Sequence, residues 1–117
     1  MLAVATLAFT GAPGCATAGT SSAVAYVRGD LDATLGAPLE SALRAVNRAV
    51  VQLEFTKVSE RKDALQAIII SRTAADKKVE IRLERADDGT TKLKIRVGAF
   101  GDEALAVATY TKISANL

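Results

Sequence analysis

Few side chains in this chain could do chemistry. The 117 residues include no histidine and a single cysteine, Cys15. Without histidine the chain cannot build a Ser-His-Asp or Cys-His nucleophile, nor a zinc site of the Cys/His type. One cysteine also excludes an intramolecular disulfide. We therefore expect no catalytic residue, no cofactor and no metal, and a protein that is not an enzyme.

Two pairs of aspartates are the remaining candidates for acid–base or cation chemistry. Asp30 and Asp32 share one strand face because strand side chains alternate, and paired carboxylates can serve general acid–base catalysis. No apolar surroundings are evident there, which favours a solvated strand face. Asp87 and Asp88 precede Gly89 in a turn pattern, without the Asp-x-Asp-x-Asp-Gly spacing of a calcium loop. The open alternative is a small-molecule-binding or carboxylate-dependent enzymatic domain with a cleft between helix and sheet.

Cys15 itself follows a short apolar segment, MLAVATLAF, and the small residues 11–14. The segment is too short to span a bilayer, which takes about 20 residues, but it has the length of a signal-peptide core. A cysteine in this setting resembles the bacterial lipobox, in which the cysteine receives a diacylglyceryl thioether and becomes the new N-terminus. We predict a signal peptide over residues 1–14 and lipidation of Cys15. The alternatives are a secretory signal cleaved near residues 16–18 and a buried N-terminal strand.

The residues after the cysteine predict an anchored domain. Residues 15–22 are small and polar, as in a flexible tether, and residues 23–117 form the predicted single α+β domain. Two acyl chains anchor a protein stably, so membrane lipid is the expected partner of Cys15. We expect an exported protein of the bacterial cell envelope, anchored to a membrane and facing the periplasm. Ala16 resembles enteric sorting signals and favours the outer membrane.

Apolar periodicity predicts the order β-α-β-β-β-β-α. The first strand covers residues 25–35, with a bulge or close backbone approach at Gly29, and an amphipathic helix follows Pro38. Four strands come next, near residues 54–60, 67–73, 79–84 and 92–97, and then a helix capped by Asp102. The expected fold class is α+β: a two-layer sandwich with an antiparallel sheet of about five strands and two helices on one face.

The last two strands can be aligned explicitly. Leu83 opposite Leu93 puts apolar pairs on one face, and on the other it sets Glu84 opposite Lys92 and Glu80 opposite Arg96. Opposite charges across strands are favourable, and a slip of one residue would bury charges.

The helix-free face should therefore be charged and mildly basic. It could bind an acidic envelope protein or anionic lipid headgroups, and Ile69 is expected to add apolar contact there. A salt-bridged, solvated face is the alternative. The candidate partner-binding residues are Arg72, Arg82, Lys92, Lys94 and Arg96. The formal net charge of +2 gives no case for nucleic acid.

Residues 98–102, Gly-Ala-Phe-Gly-Asp, precede the last helix and could offer backbone N–H groups to an anion. They lack a phosphate-loop lysine and the GxGxxG spacing. We interpret them as a structural joint in which Phe100 caps the core.

Three stretches together resemble a known family: residues 25–31 (AYVRGDL), 62–65 (KDAL) and 95–105 (IRVGAFGDEAL). They are similar to the small bacterial lipoproteins catalogued as domain of unknown function 3568, with a likeness running from about Cys15 to Leu117. The resemblance implies an envelope lipoprotein with this order of strands and helices. It implies no catalytic or binding residues, because the family has no assigned activity.

Overall fold

The structure, a computed structural model, describes residues 24–117. The predicted signal peptide, Cys15 and the predicted tether lie outside the described residues. None of the helices in residues 24–117 is long and apolar enough to cross a membrane.

Six strands and two helices make up the described residues. In chain order they are β1 (Ala25–Val27), β2 (Asp30–Leu35), α1 (Leu39–Gln52), β3 (Thr56–Lys62), β4 (Gln66–Arg72), β5 (Lys78–Arg85), β6 (Thr91–Val97) and α2 (Glu103–Ala115). The strands form one sheet in the order β1-β2-β6-β5-β4-β3, with every neighbouring pair antiparallel. Both helices pack on one face, which confirms the two-layer α+β architecture.

The predicted first strand is in fact a hairpin, so the sheet has six strands rather than about five. Arg28 and Gly29 have φ of +55° and +86°, and positive φ at both central residues defines the tight turn that suits twisted strands. The turn reverses the alternation, so that Tyr26 packs against the core while Val27 faces outward. Gly29 also makes the predicted close approach, since a Cβ there would lie 3.1 Å from the carbonyl oxygen of Phe100.

The register of β5 and β6 agrees with the prediction, with Leu83 opposite Leu93 and Ile81 opposite Ile95. These side chains are buried beneath α1 and α2 in an aliphatic core. Ile69 is fully buried on the same side, so the expectation that it projects outward is wrong. Alternation along β4 is the reason, because it sends only the two flanking isoleucines to the opposite face.

The helices follow their sequence patterns with one exchange. α1 buries the predicted stripe, including Leu39, Leu43 and Val46. In α2, Ala106 and Ile113 are buried as predicted, but Leu117 is 50% exposed and Thr109 is buried in the layer instead. The Thr109 hydroxyl donates to the Leu105 carbonyl at 2.8 Å, and this bond makes its burial tolerable.

Candidate functional site: the outer face of the sheet

The helix-free side of the sheet, here called the outer face, carries the charged side chains of the four inner strands. Register places six bases and four acids on it. The bases are Arg72, Lys78, Arg82, Lys92, Lys94 and Arg96, and the acids are Asp30, Asp32, Glu80 and Glu84. All five predicted partner-binding residues thus lie together on one surface, and this surface has an excess of positive charge.

The Arg96 side chain is engaged in hydrogen bonds that stabilise the fold. Its Nη1 donates to the carbonyl oxygen of Arg28 and to Asp30 Oδ1, both at 3.1 Å, and its Nη2 donates to the carbonyl oxygen of Ala99 at 2.7 Å. The guanidinium therefore ties the β1–β2 turn to the loop before α2. Glu80, its predicted ion-pair partner, stands opposite it in register but bonds Arg82 Nε at 2.7 Å instead.

The other cations of the face are held less firmly. Lys94 stands directly opposite Arg82, and like charges in this position are destabilising. Lys94 Nζ lies 3.8 Å from Asp32 Oδ1, both side chains being about half exposed, and such pairs contribute little. Within the described residues, Lys92 forms no ion pair, although Glu84 is its register partner.

Two isoleucines give the outer face an apolar strip beside these cations. Ile68 and Ile70 are half-buried on it, with Ile68 opposite Arg82 on one side and Arg61 of β3 on the other. Arg72, at the end of the strip, is tied to Asp76, whose backbone carbonyl accepts from Nη1 at 3.0 Å. The basic charge of the face that is unpaired or only weakly paired therefore lies at Lys92 and Lys94, with Arg82 beside them but bonded to Glu80.

The candidate carboxylates lie on exposed surface. Asp30 and Asp32 line a shallow depression across the outer face, together with Glu80 and Glu84, rather than a cleft between helix and sheet. Asp88 lies in the β5–β6 turn, where its Oδ1 accepts from the Thr90 backbone N–H at 3.2 Å. Across residues 24–117, no three acidic or cysteine side chains cluster in a way that could hold a metal ion.

Phe100 is a residue that sequence reasoning misplaced. It was expected to cap the core, but 95% of it is exposed. Gly98 and Gly101, with φ of +69° and +88°, turn the chain on either side of it, and Arg96 holds the intervening carbonyl. The signal in the sequence is a single aromatic between two glycines in a loop, where the chain can reverse without burying it.

Asp102 fixes the other side of that loop. Its Oδ1 accepts from the Leu105 backbone N–H at 3.1 Å, which confirms the predicted N-cap, and its Oδ2 accepts from Lys77 Nζ at 3.0 Å. The Leu105 N–H first, and Lys77 second, lower the pKa of the Asp102 carboxyl below its ordinary value of 3.8. The cap is therefore charged at neutral pH.

These features define an α+β protein with an open antiparallel sheet, whose charged outer face is not covered by any element of residues 24–117. The chain belongs to the family described as protein of unknown function (DUF3568), which matches residues 1–116. The family predicted from the three sequence stretches is thereby confirmed. The matched region includes the apolar N-terminal segment and Cys15. A comparison with curated proteins found no match to the chain.

Proposed function

We propose that this protein is a lipid-anchored interaction module of the bacterial envelope, and that its outer face binds an acidic protein partner. The observation that carries the proposal is the uncovered charged face, where Lys92 lacks an ion pair among the described residues and Lys94 stands opposite Arg82. An acidic segment placed there would relieve the like-charge pair and complete the pairing of Lys92.

The composition of the face supports a protein partner. The half-buried Ile68 and Ile70 lie beside the cations, so a partner can gain apolar contact and charge pairing together. Specific interfaces combine these two terms, with apolar contact at the centre and polar contact at the rim. Neither isoleucine takes part in the core on the other side of the sheet.

The anchor rests on the sequence around Cys15, and labelling tests it directly. Cells producing the full chain with a C-terminal tag are grown with an alkyne-labelled fatty acid. We expect label on the wild-type protein and none on Cys15→Ala. Label that persists in Cys15→Ala would remove lipidation at this residue, and unlabelled wild type would remove the anchor altogether.

The binding face is tested separately by photo-crosslinking in cells. A photoreactive amino acid replaces Gln66, which is exposed on the outer face, and in a control replaces Val51, which is 74% exposed on α1. We expect a discrete adduct from position 66 only, in which the captured segment, identified by mass spectrometry, is acidic.

Charge reversal then decides whether the cations bind the partner. Lys92→Glu with Lys94→Glu should abolish the adduct from position 66. The matched control is Arg44→Glu with Arg48→Glu, which makes the same change in net charge on the exposed side of α1 and should leave the adduct intact. Equal loss in both double variants would mean that net charge, and not this face, attracts the partner.

A further inference from the structure

The most exposed large apolar side chain in the described residues lies in a loop that is held rigidly. Phe100 is 95% exposed, against 74% for Val51, the next in order. A Cβ on Gly101 would lie 2.6 Å from Gly29 Cα, so the loop packs directly on the β1–β2 turn. With the Arg96 guanidinium bonded to the backbone of both segments, the loop presents an aromatic ring to the surroundings at little cost in conformational entropy.

The loop belongs to one end of the sheet, here called the Phe100 end, formed by the turns at residues 28–29, 53–55, 73–77 and 98–102. A Cβ on Gly98 would lie 3.5 Å from Lys77 Cγ. Both aspartates of these turns are paired with bases, Asp102 with Lys77 at 3.0 Å and Asp76 with Arg72 at 3.5 Å. Arg28 and Glu54 are exposed at the two sides of this end, next to the edge strands β1 and β3. Val27, 53% exposed, leads into the first turn and adds a second apolar side chain.

The opposite end of the sheet has the reverse character. Its turns, at residues 63–65 and 86–90, contain Asp63, Asp87 and Asp88 and no base. Backbone N–H groups of Leu65 and Gln66 lower the pKa of the Asp63 carboxyl, so it stays charged at neutral pH. Leu65 is 66% exposed there, but it lies beside this carboxylate. Charged groups resist transfer out of water, so the three carboxylates make this end favour solvent, whereas the Phe100 end presents the two exposed apolar side chains Phe100 and Val27.

The exposed surface of α2 that follows the loop carries one charge, Glu103, in its first turn. Its other exposed positions are Ala104, Val107, Ala108, Thr111 and Ala115. The Thr111 hydroxyl donates to the Val107 carbonyl at 2.8 Å, which satisfies it within the helix. Beyond the first turn the exposed side of α2 is therefore uncharged, and an uncharged helix surface can lie against a lipid interface at low desolvation cost.

The length of the segment between Cys15 and the domain indicates how close the domain would lie to a membrane. Only nine residues lie between Cys15 and Ala25, the first residue of β1, and the ten steps from one residue to the other reach at most about 35 Å. A lipidated Cys15 would therefore keep the domain next to the bilayer. We infer that Phe100 inserts into the interfacial region of that bilayer. The inference rests on the proposed anchor, and it leaves the outer face, which is perpendicular to this end, free for the protein partner.

Tryptophan fluorescence tests the insertion, because the chain contains no tryptophan. Full-length Phe100→Trp and, as control, Val51→Trp are purified from membranes and reconstituted into phosphatidylcholine vesicles with and without brominated acyl chains. We expect the tryptophan at position 100 to emit at shorter wavelength and to be quenched severalfold more by the brominated lipid than the one at position 51. The effect should be the same in vesicles containing phosphatidylglycerol, because the contact is apolar.

Each other outcome overturns the inference in a distinguishable way. Protein that floats with the vesicles while both positions are quenched equally weakly keeps the anchor and removes the insertion. A blue shift at position 100 without lipid quenching means that protein, such as a second copy of this chain, covers the ring. Protein that fails to float removes the proposed anchor, and the insertion falls with it.

Discussion

The two faces of the sheet are made by the same strands yet obey different rules. On the inner face, residues such as Ile81, Leu83 and Ile95 are buried under the helices, and each contributes through contact area alone. On the outer face, each side chain contributes through particular partners, as Arg96 does with two carbonyl groups and Lys92 does not within the described residues. Hydrophobic burial is non-directional, whereas charge pairing depends on exact reach.

The difference indicates where evolution can place function without losing the fold. Inner-face residues cannot change without leaving a cavity. Outer-face residues can change freely unless, like Arg96, they also bond the backbone. The proposed binding to a partner therefore concerns the residues of the outer face that do not also hold the fold together. The following substitutions test this division, beginning with the largest expected effect.

Ile95→Ala should be the most destabilising change, because it empties a fully buried position in an inner strand. We expect the free energy of unfolding to fall by about 2–5 kcal/mol, measured by urea denaturation. The control is Lys94→Ala, the adjacent residue on the outer face, which should change it by less than about 0.5 kcal/mol. Similar losses in the two variants would contradict the division between faces.

Gly101→Ala tests the rigidity of the Phe100 loop. It combines a φ of +88° with a Cβ that would lie 2.6 Å from Gly29 Cα, so we expect a loss of about 2 kcal/mol or more. Gly36→Ala is the matched control, since a Cβ there meets no atom within 4 Å. If denaturant melts show Gly101→Ala to be no worse than Gly36→Ala, the loop is not held as described.

Arg96→Ala and Lys92→Ala separate the structural cation from the free one. Arg96→Ala removes the hydrogen bonds that hold two loops and should cost about 1 kcal/mol of stability, whereas Lys92→Ala should cost almost none. Crosslinking to the partner should show the reverse order. Lys92→Ala should weaken the adduct from position 66 more than Arg96→Ala does, relative to the stability that each variant loses. A Lys92→Ala variant as unstable as Arg96→Ala would place Lys92 among the structural residues.

The smallest effect concerns pH. Asp102 has a pKa lowered by the Leu105 N–H and by Lys77, so its charge stabilises the folded state. This stabilisation is complete above the unfolded value of 3.8 and is lost as pH falls through the lower folded value. Asp102→Asn should therefore flatten the acid side of the curve of Tm against pH. An unchanged curve would mean that the cap contributes nothing through its charge.

Much of the inner face could be predicted from the sequence, because the alternation of apolar and polar residues along each strand is enough to identify the side chains that face the core. The pairing of β5 with β6 followed from placing Leu83 opposite Leu93, and α1 followed from its stripe. The β1–β2 hairpin could not be found in this way, because apolar residues alternate straight through the turn and Arg28 is an unusual residue for a left-handed conformation. Ile69 was misassigned because three consecutive isoleucines do not show which of them faces the core.

The sequence was enough to predict which residues lie on the outer face, but not which of their side chains pair with one another. All five candidate bases were placed on the correct strands. The bonds of Arg96 could not be predicted, because Arg28 is 68 residues away in the sequence and Ala99 lies in a loop, so no periodicity encodes either contact. The exposure of Phe100 was missed for a related reason. An aromatic residue is usually buried, and only the two glycine conformations around it send it outward.

The central claim is that the outer face binds a partner while the inner face maintains the fold. The most direct test measures both properties on one protein, Lys92→Gln with Lys94→Gln, which removes both charges without placing an acid opposite Glu84 or Asp32. We predict that its free energy of unfolding, measured by urea denaturation, stays within about 0.5 kcal/mol of wild type while the crosslinked adduct from position 66 disappears. A stable double variant that still forms the adduct would contradict the account.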